Sequence, residues 1–326
     1  MPNRRTALAE LCAAIGAAVF PEAVLAQPQG WPDRPLRLIV PVPPGGLADI
    51  LARSLALRLG ETLGQTVIVE NKPGAGSLIG TDYVLKQPAD GYTMLLTWTA
   101  IVQNPLLLPN AHYDPVKDFA PVARLGGISA VFAVGSHVNA SNLKEFIALA
   151  KGPQAITYGV PGIGSAAHFY GEIMSRTLGL NMSHVPYKGD AEMVPDLLNQ
   201  RVDAAFVQAL SVDQHAKQGK VKVLAVTGPK RINLMPSVPT FQEQGVPGLD
   251  DDRWFGIFMR AGTPQPIVDR ISAETEKWVA LPATQERMRT AAMDPGAMNA
   301  ADFTAAVAKS QQQWRDIVKR VPIKLN

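Results

Sequence analysis

The sequence predicts an α/β fold built on largely parallel sheets. Short β-rich runs alternate with runs whose apolar residues recur at helical spacing, the pattern of strands crossed over by helices. The junctions are rich in glycine and proline, 27 of each with no Gly-X-Y period, so they read as turns. With 326 residues, 47% of them hydrophobic, the chain can fill about two domain cores. A charged fraction of 18% is too low for a solvated disordered chain. A net charge of +3 gives no footprint for nucleic acid or an anionic membrane.

The elements follow in order. Leu36 to Val40 is a β-rich run that ends in Pro41-Val42-Pro43-Pro44-Gly45-Gly46. Leu47, Leu51, Leu55 and Leu59 then fall at i+4 spacing, the buried stripe of a helix. Thr66 to Glu70 is a second strand, closed by Asn71-Lys72-Pro73-Gly74, and Tyr92 to Leu96 a third, after a short helix and the Asp90-Gly91 turn. Val131 to Val134 is a further strand. The helix after it has Leu143, Phe146, Ile147 and Ala150 on one face, Asn142 and Glu145 as a capping box, and Gly152 as its stop. Ala155 to Val160, the stretch ending at Val185-Pro186-Tyr187, Ala204-Ala205-Phe206 and Val221 to Thr227 are strands of the second half, with a helix starting near Ser165. Thr263-Pro264 reads as an N-cap followed by proline at the first helical position, opening a helix that turns Val268, Ile271, Thr275 and Trp278 inward. Phe303, Val307, Ser310, Trp314 and Ile317 mark the inner face of the last helix.

The first 26 residues have another character. Arg4 and Arg5 precede an apolar stretch from Leu11 to Phe20, and Val24-Leu25-Ala26 places small residues at −3 and −1. This is the layout of a secretory signal cleaved after Ala26, and its apolar stretch is too short to span a bilayer. Cleavage also removes Cys12, the only cysteine, which excludes disulfides and thiol chemistry; roughly 300 residues are enough for a stable core without cross-links.

In sheets of this kind ligands sit where strand ends run into helices, which directs attention to two loops. Pro41 to Asp49 is one. Its glycines let a ligand approach the backbone, and the N–H groups of Gly46, Leu47 and Ala48 open a helix whose donors and positive dipole end suit an anion. An ordinary tight turn would also explain Gly45-Gly46. The other loop is Gly162-Ile163-Gly164-Ser165-Ala166-Ala167-His168, where Ser165 can cap the helix or reach a ligand, and His168 can face the cleft or pack as a satisfied histidine.

These loops carry a resemblance. Leu38 to Asp49, Val67 to Gly76, Asp90-Gly91-Tyr92-Thr93, Gly162 to His168, His184 to Gly189 and Ala261-Gly262-Thr263-Pro264 occur in an order and spacing similar to the Bug-type periplasmic substrate-binding proteins, receptors of tripartite tricarboxylate transporters. The resemblance covers the whole chain after Ala26. It implies a two-domain, type II-like periplasmic binding protein, each domain a mostly parallel sheet flanked by helices, with the ligand cleft between. Domain 1 would comprise 27–128 with 253–326, and domain 2 residues 129–252. It further implies a small carboxylate ligand, membrane permease subunits as partners, a monomer, no catalysis, no metal and no cofactor. Carried over to this chain, the ligand-binding residues are Pro43, Gly45, Gly46 and Asp49 of the first loop, Gly164, Ser165 and His168 of the second, and Tyr187 and Gly189 on the far wall. Thr97, Thr99 and Gln208 are added from their position at strand ends. Val42, Leu47-Ala48 and Asn199-Gln200-Arg201 depart from the family pattern, the first two toward a more apolar pocket mouth.

Other classes find less support. Gly74 to Gly80 and Gly162 to Ala167 have spacings seen at dinucleotide loops, yet no acidic residue ends the strand that follows either one. No serine stands in G-x-S-x-G, so a secreted α/β hydrolase lacks its nucleophile elbow. His112, His137, His168, His184 and His215 are scattered without H-E-x-x-H spacing. In Arg253-Trp254-Phe255, Trp254 can roof the cleft, but packing at the domain crossover is its expected role. A sensor of the same fold, signalling to a membrane partner, stays open beside the transport receptor.

Overall fold

The computed structural model describes residues 30–163 and 165–321; the expected signal and its cleavage site after Ala26, and Gly164, lie outside the described residues. From Arg34 onward the chain packs as one compact unit. Strand β1, Leu36–Val40, is buried at every position but Arg37, as a central parallel strand must be when helices cover both of its faces. It pairs in parallel with β2, Val67–Asn71, and β3, Thr93–Trp98. Helix α1, Leu47–Leu63, buries Leu51, Leu55 and Leu59, and Gly64 ends it in a left-handed conformation at φ 71°. Helices α2, Leu78–Leu85, and α3, Ala100–Leu107, follow β2 and β3.

Two sheets result. Strands β4, Phe119–Ile128, β10, Trp254–Arg260, and β11, Met293–Met298, extend the first to the order β11-β4-β10-β3-β1-β2. The second has the order β7-β6-β8-β5-β9, from β5, Ala130–Gly135, β6, Ile156–Val160, β7, Met182–Pro186, β8, Ala204–Gln208, and β9, Val221–Val226. The parallel pairing expected from strand–helix alternation holds within β2-β1-β3 and β7-β6-β8. The added strands β10, β4 and β11, and β5 and β9, are antiparallel, because they bring the chain across and back between the sheets. Helices α4, Leu143–Ala150, α5, Ala166–Leu178, α6, Asp190–Leu198, and α7, Ala209–Lys217, belong to the second sheet. Helices α8, Gln265–Ala280, α9, Pro282–Thr290, and α10, Ala300–Arg320, return to the first.

The crossings lie side by side. Only Ser129 separates β4 from β5, so one extended chain passes directly from sheet to sheet. The return segment runs along it: Ile128 N–H donates to the Arg253 carbonyl at 2.8 Å, and Ala130 N–H to the Thr227 hydroxyl at 2.9 Å. Two adjacent strands joining two lobes form a hinge, since few dihedrals need change to swing one lobe on the other. Helix α10 ties the lobes further, setting Trp314 edge-on against Phe169 of α5 with ring centroids 5.5 Å apart.

One local expectation is corrected. Thr263 is not the cap of α8: its hydroxyl donates to the Arg260 carbonyl, Pro264 holds the N-cap position and Pro266 lies in the first turn. In the Asn199-Gln200-Arg201 turn, Gln200 adopts φ 60°, a conformation glycine reaches without strain, which explains why a glycine suits that turn. Among the described residues, no helix is long and apolar enough to cross a membrane.

Candidate ligand cleft

Four helices begin at one cleft. The N-cap residues of α1, α5, α6 and α7 are Gly46, Ser165, Gly189 and Gln208, and all four line it. On the second-lobe side a cavity of about 640 Å³ is walled by Pro161, Ser165 to Ala167, Gly189 to Ala191 and Phe206 to Gln208. On the first-lobe side one of about 440 Å³ is walled by Val42 to Pro44, Gly46 to Ala48, Trp98, Ile128 and Phe255. Gln208 and Arg253 border both. Both volumes fall in the ~300–1,000 Å³ range of small-molecule sites. Side-chain caps are absent at Gly46, Gly189 and Gln208, so the first N–H groups of α1 and α6 remain available to an anion. At the start of α7 a carboxylate of the chain itself is in place: Asp190 accepts from Gln208 N–H at 2.9 Å and from the Ser211 hydroxyl at 2.8 Å, which sets a negative charge there.

The first loop owes its shape to Asp49. This side chain is 3% exposed and accepts from Gly45 N–H at 2.9 Å, Arg53 Nε at 2.9 Å and Asn71 Nδ2 at 2.9 Å. Asn71 also donates to the Val42 carbonyl, stitching β2 to the loop. Burial alone would push the Asp49 carboxyl up, but the bonds from Arg53, Gly45 and Asn71 outweigh it and hold it at about 2. Asp49, which the sequence offered as a ligand contact, thus spends its carboxylate on shaping the loop and lines neither cavity wall. Gly45 (φ 92°) spends its N–H on Asp49 and is not in the cavity wall, whereas Pro43 and Gly46 are.

In the second loop Ser165 lines the cleft with its hydroxyl committed, donating to the Gly162 carbonyl at 2.8 Å and accepting from His168 N–H at 3.3 Å. Replacing Ser165 by alanine is expected to lower stability by about 1 kcal/mol through the lost cap. Ligand affinity should stay within a factor of three; a larger loss by calorimetric titration would show that the hydroxyl serves the ligand.

Four sequence candidates lie elsewhere. His168 is 2% exposed and turned away from the cleft toward His184, ring centroids 4.1 Å apart. Burial, helped by His184, depresses its imidazole to about 4, so it is neutral at physiological pH. Tyr187 donates its hydroxyl to Asp196 at 3.0 Å and packs in the second lobe. Thr97 and Thr99 are buried at 0% and 1%, and neither lines a cavity wall. The alternation of strand β3 presents Trp98 to the cleft instead, one position from each threonine. The same alternation sorts Arg253-Trp254-Phe255: Trp254 is fully buried against Phe258 and Phe303, while Arg253 and Phe255 face the cleft. Trp254 thus packs at the crossover, as expected, and does not roof the cleft. Phe255 and Trp98 have ring centroids 6.2 Å apart across the β3–β10 pair.

Histidines scattered in sequence are partly gathered in space. Ligand atoms of His168, Glu172 and His184 lie within 4.8 Å of one another. That spread is wider than the roughly 3.3 Å between donors of a tetrahedral zinc, and Glu172 is shared with Arg176 and the Tyr158 hydroxyl. The trio lies in the second lobe outside the cavity walls.

Comparison with known proteins places this cleft in context. Residues 51–323 match the family described as "Tripartite tricarboxylate transporter family receptor". The chain is 31% identical to the protein BugT of Bordetella pertussis over 298 residues, 90% of this chain and 91% of that one. The solved structure of the periplasmic binding protein BugD superposes with a TM-score of 0.73 at 34% identity, covering 90% of this chain and 99% of the other. The R. palustris protein Rpa4515, solved with adipate, gives a TM-score of 0.76 at 31% identity, with coverage of 90% and 99%. The two solved structures share the fold, and the family is one of receptors rather than enzymes. The chain belongs to the tripartite tricarboxylate transporter receptor family, as a Bug-type periplasmic binding protein.

Proposed function

We propose that the protein captures a small carboxylated organic compound in the cleft between its lobes and delivers it to the membrane permease subunits of a tripartite transporter. One observation carries the reading: helices of both lobes start at the same cleft, and two of those starts, α1 and α6, keep their first N–H groups uncapped. Fixed N–H donors replace the water around a carboxylate without requiring a buried lysine, so release stays possible once the lobes part. Adipate bound to the R. palustris relative supports a carboxylate as ligand. A signal cleaved after Ala26 would deliver the chain, as a monomer, to the periplasm. The moving bodies would be residues 27–128 with 253–326 and residues 129–252, a division supported by the membership of the two sheets. Closure would bury the ligand, and the ligand would shift the open–closed equilibrium by its preference for the closed form.

A melting screen of the purified protein against organic acids tests this. An acid at about 100 times its dissociation constant should add about 2.7 kcal/mol of stability. A panel of mono-, di- and tricarboxylates without any shift, or chemical turnover of a bound acid, would overturn the reading.

A further inference from the structure

Arg253 is the one cation lining either half of the cleft among the described residues. Its Nε is buried without a hydrogen-bond partner, a costly state for a charged donor withdrawn from water. The neighbouring acids do not complete it. Asp252 accepts two bonds from Arg124, at 2.9 and 3.1 Å. Asp190 is held by Gln208 and Ser211. Asp251 attracts Arg253 from a fully buried position, yet its Oδ1 accepts from the Tyr170 hydroxyl at 2.6 Å and its Oδ2 has no partner, so no bond joins it to Arg253 Nε. The Arg253 carbonyl receives Ile128 N–H at the hinge, which fixes the base of the side chain at the point about which the lobes would swing.

Beside Arg253 the first-lobe half of the cleft is apolar. Pro43, Pro44, Leu47, Trp98 and Phe255 form its wall, and Gln208 is the other polar side chain there. Once Arg253 is paired, a second carboxylate placed against that wall would lose its water with no further cation to meet it, only the first N–H groups of α1 at its edge, whereas a flat ring would stack on Trp98 and Phe255. We infer that Arg253 receives the carboxylate of an organic monoacid whose ring-sized apolar body lies against Trp98 and Phe255. This rests on the receptor reading above and narrows its ligand from carboxylated compounds in general to aryl monoacids.

Calorimetric titration with benzoate, its uncharged counterpart benzamide, and adipate tests the assignment on the wild type, R253Q, R253K and W98A. A charge-assisted pair should make wild-type binding of benzoate about 10–100-fold tighter than that of benzamide. R253Q should reduce that ratio to near one, and R253K should restore part of it, because lysine keeps the charge but loses the two-pronged geometry. W98A should weaken both ligands by a similar factor. A merely structural role for Arg253 would change stability and leave the benzoate-to-benzamide ratio intact, which would overturn the assignment. If R253Q does not fold, an unchanged ratio in R253K has the same force. Binding of adipate but not benzoate by the wild type would refute the aryl monoacid while sparing the receptor reading. Failure of every acid in the wider panel would refute both.

Discussion

Valine at position 46 should cost at least about tenfold in ligand affinity while lowering the stability of the free protein by no more than about 1 kcal/mol. Gly46 has φ −78° and ψ 172°, extended backbone that a β-branched residue adopts readily. A Cβ built there meets no atom within 4 Å, so the substitution creates no clash. What it fills is ligand space, since Gly46 lines the first-lobe half of the cleft beside the first N–H groups of α1. Gly171 is the useful contrast: a Cβ there would stand 2.0 Å from the Tyr158 ring, so G171A should lose stability by several kcal/mol, and any loss of binding would follow from unfolding. Melting curves and titrations of the two variants separate the effects. Wild-type affinity in G46V would remove the start of α1 from the site.

The legible part of the molecule was the part governed by period and punctuation. Leu51, Leu55 and Leu59 repeat at helical spacing and are buried in α1, and Trp314 and Ile317 do the same in α10. The proline-glycine loop and the Gly-rich loop stood out because glycine and proline mark places where the backbone must turn sharply. Strands β4, β10 and β11 were less visible. Trp254 to Met259 are buried on both faces and give no alternation, and Pro295 and Gly296 make β11 look like a turn, which an edge strand tolerates. Within the site, backbone positions such as Gly46 and Gly189 could be inferred from their loops. Side-chain roles could not, because they depend on partners far away in the chain. His168 is claimed by His184 and Tyr187 by Asp196, pairings that no local pattern announces, while of the partners of Asp49 only Arg53, at i,i+4 spacing, is readable locally and Asn71 is not. A shift of one residue in strand phase was enough to exchange Trp98 for its two threonine neighbours.

Asparagine at position 49 should destabilise the protein by about 2 kcal/mol at neutral pH and weaken binding at least tenfold. The stability figure follows from the carboxyl being held at about 2 in the folded chain against an ordinary 3.8, and burial at 3% exposure leaves little solvent to screen it. The affinity figure follows from preorganisation. With a neutral amide, Gly45 N–H and Arg53 lose the acceptor that holds the loop, and the start of α1 must then be ordered at the ligand's expense. The pH dependence has a definite sign. The folded form is the more acidic, so the carboxylate's contribution is complete above about pH 4 to 5 and fades as pH falls through about 2. Asparagine does not titrate, so the gap between wild type and D49N should be widest at neutral pH and close on acidification. Urea unfolding at pH 7, 4 and 2.5 measures that gap directly. Parallel curves across this range would mean that the bonds from Gly45, Arg53 and Asn71 do not favour the ionised carboxyl, and the loop would need another anchor. A gap that closes while ligand affinity in D49N stays at the wild-type level would instead free the loop's shape from any part in recognition, leaving the second lobe and the hinge cation to hold the acid.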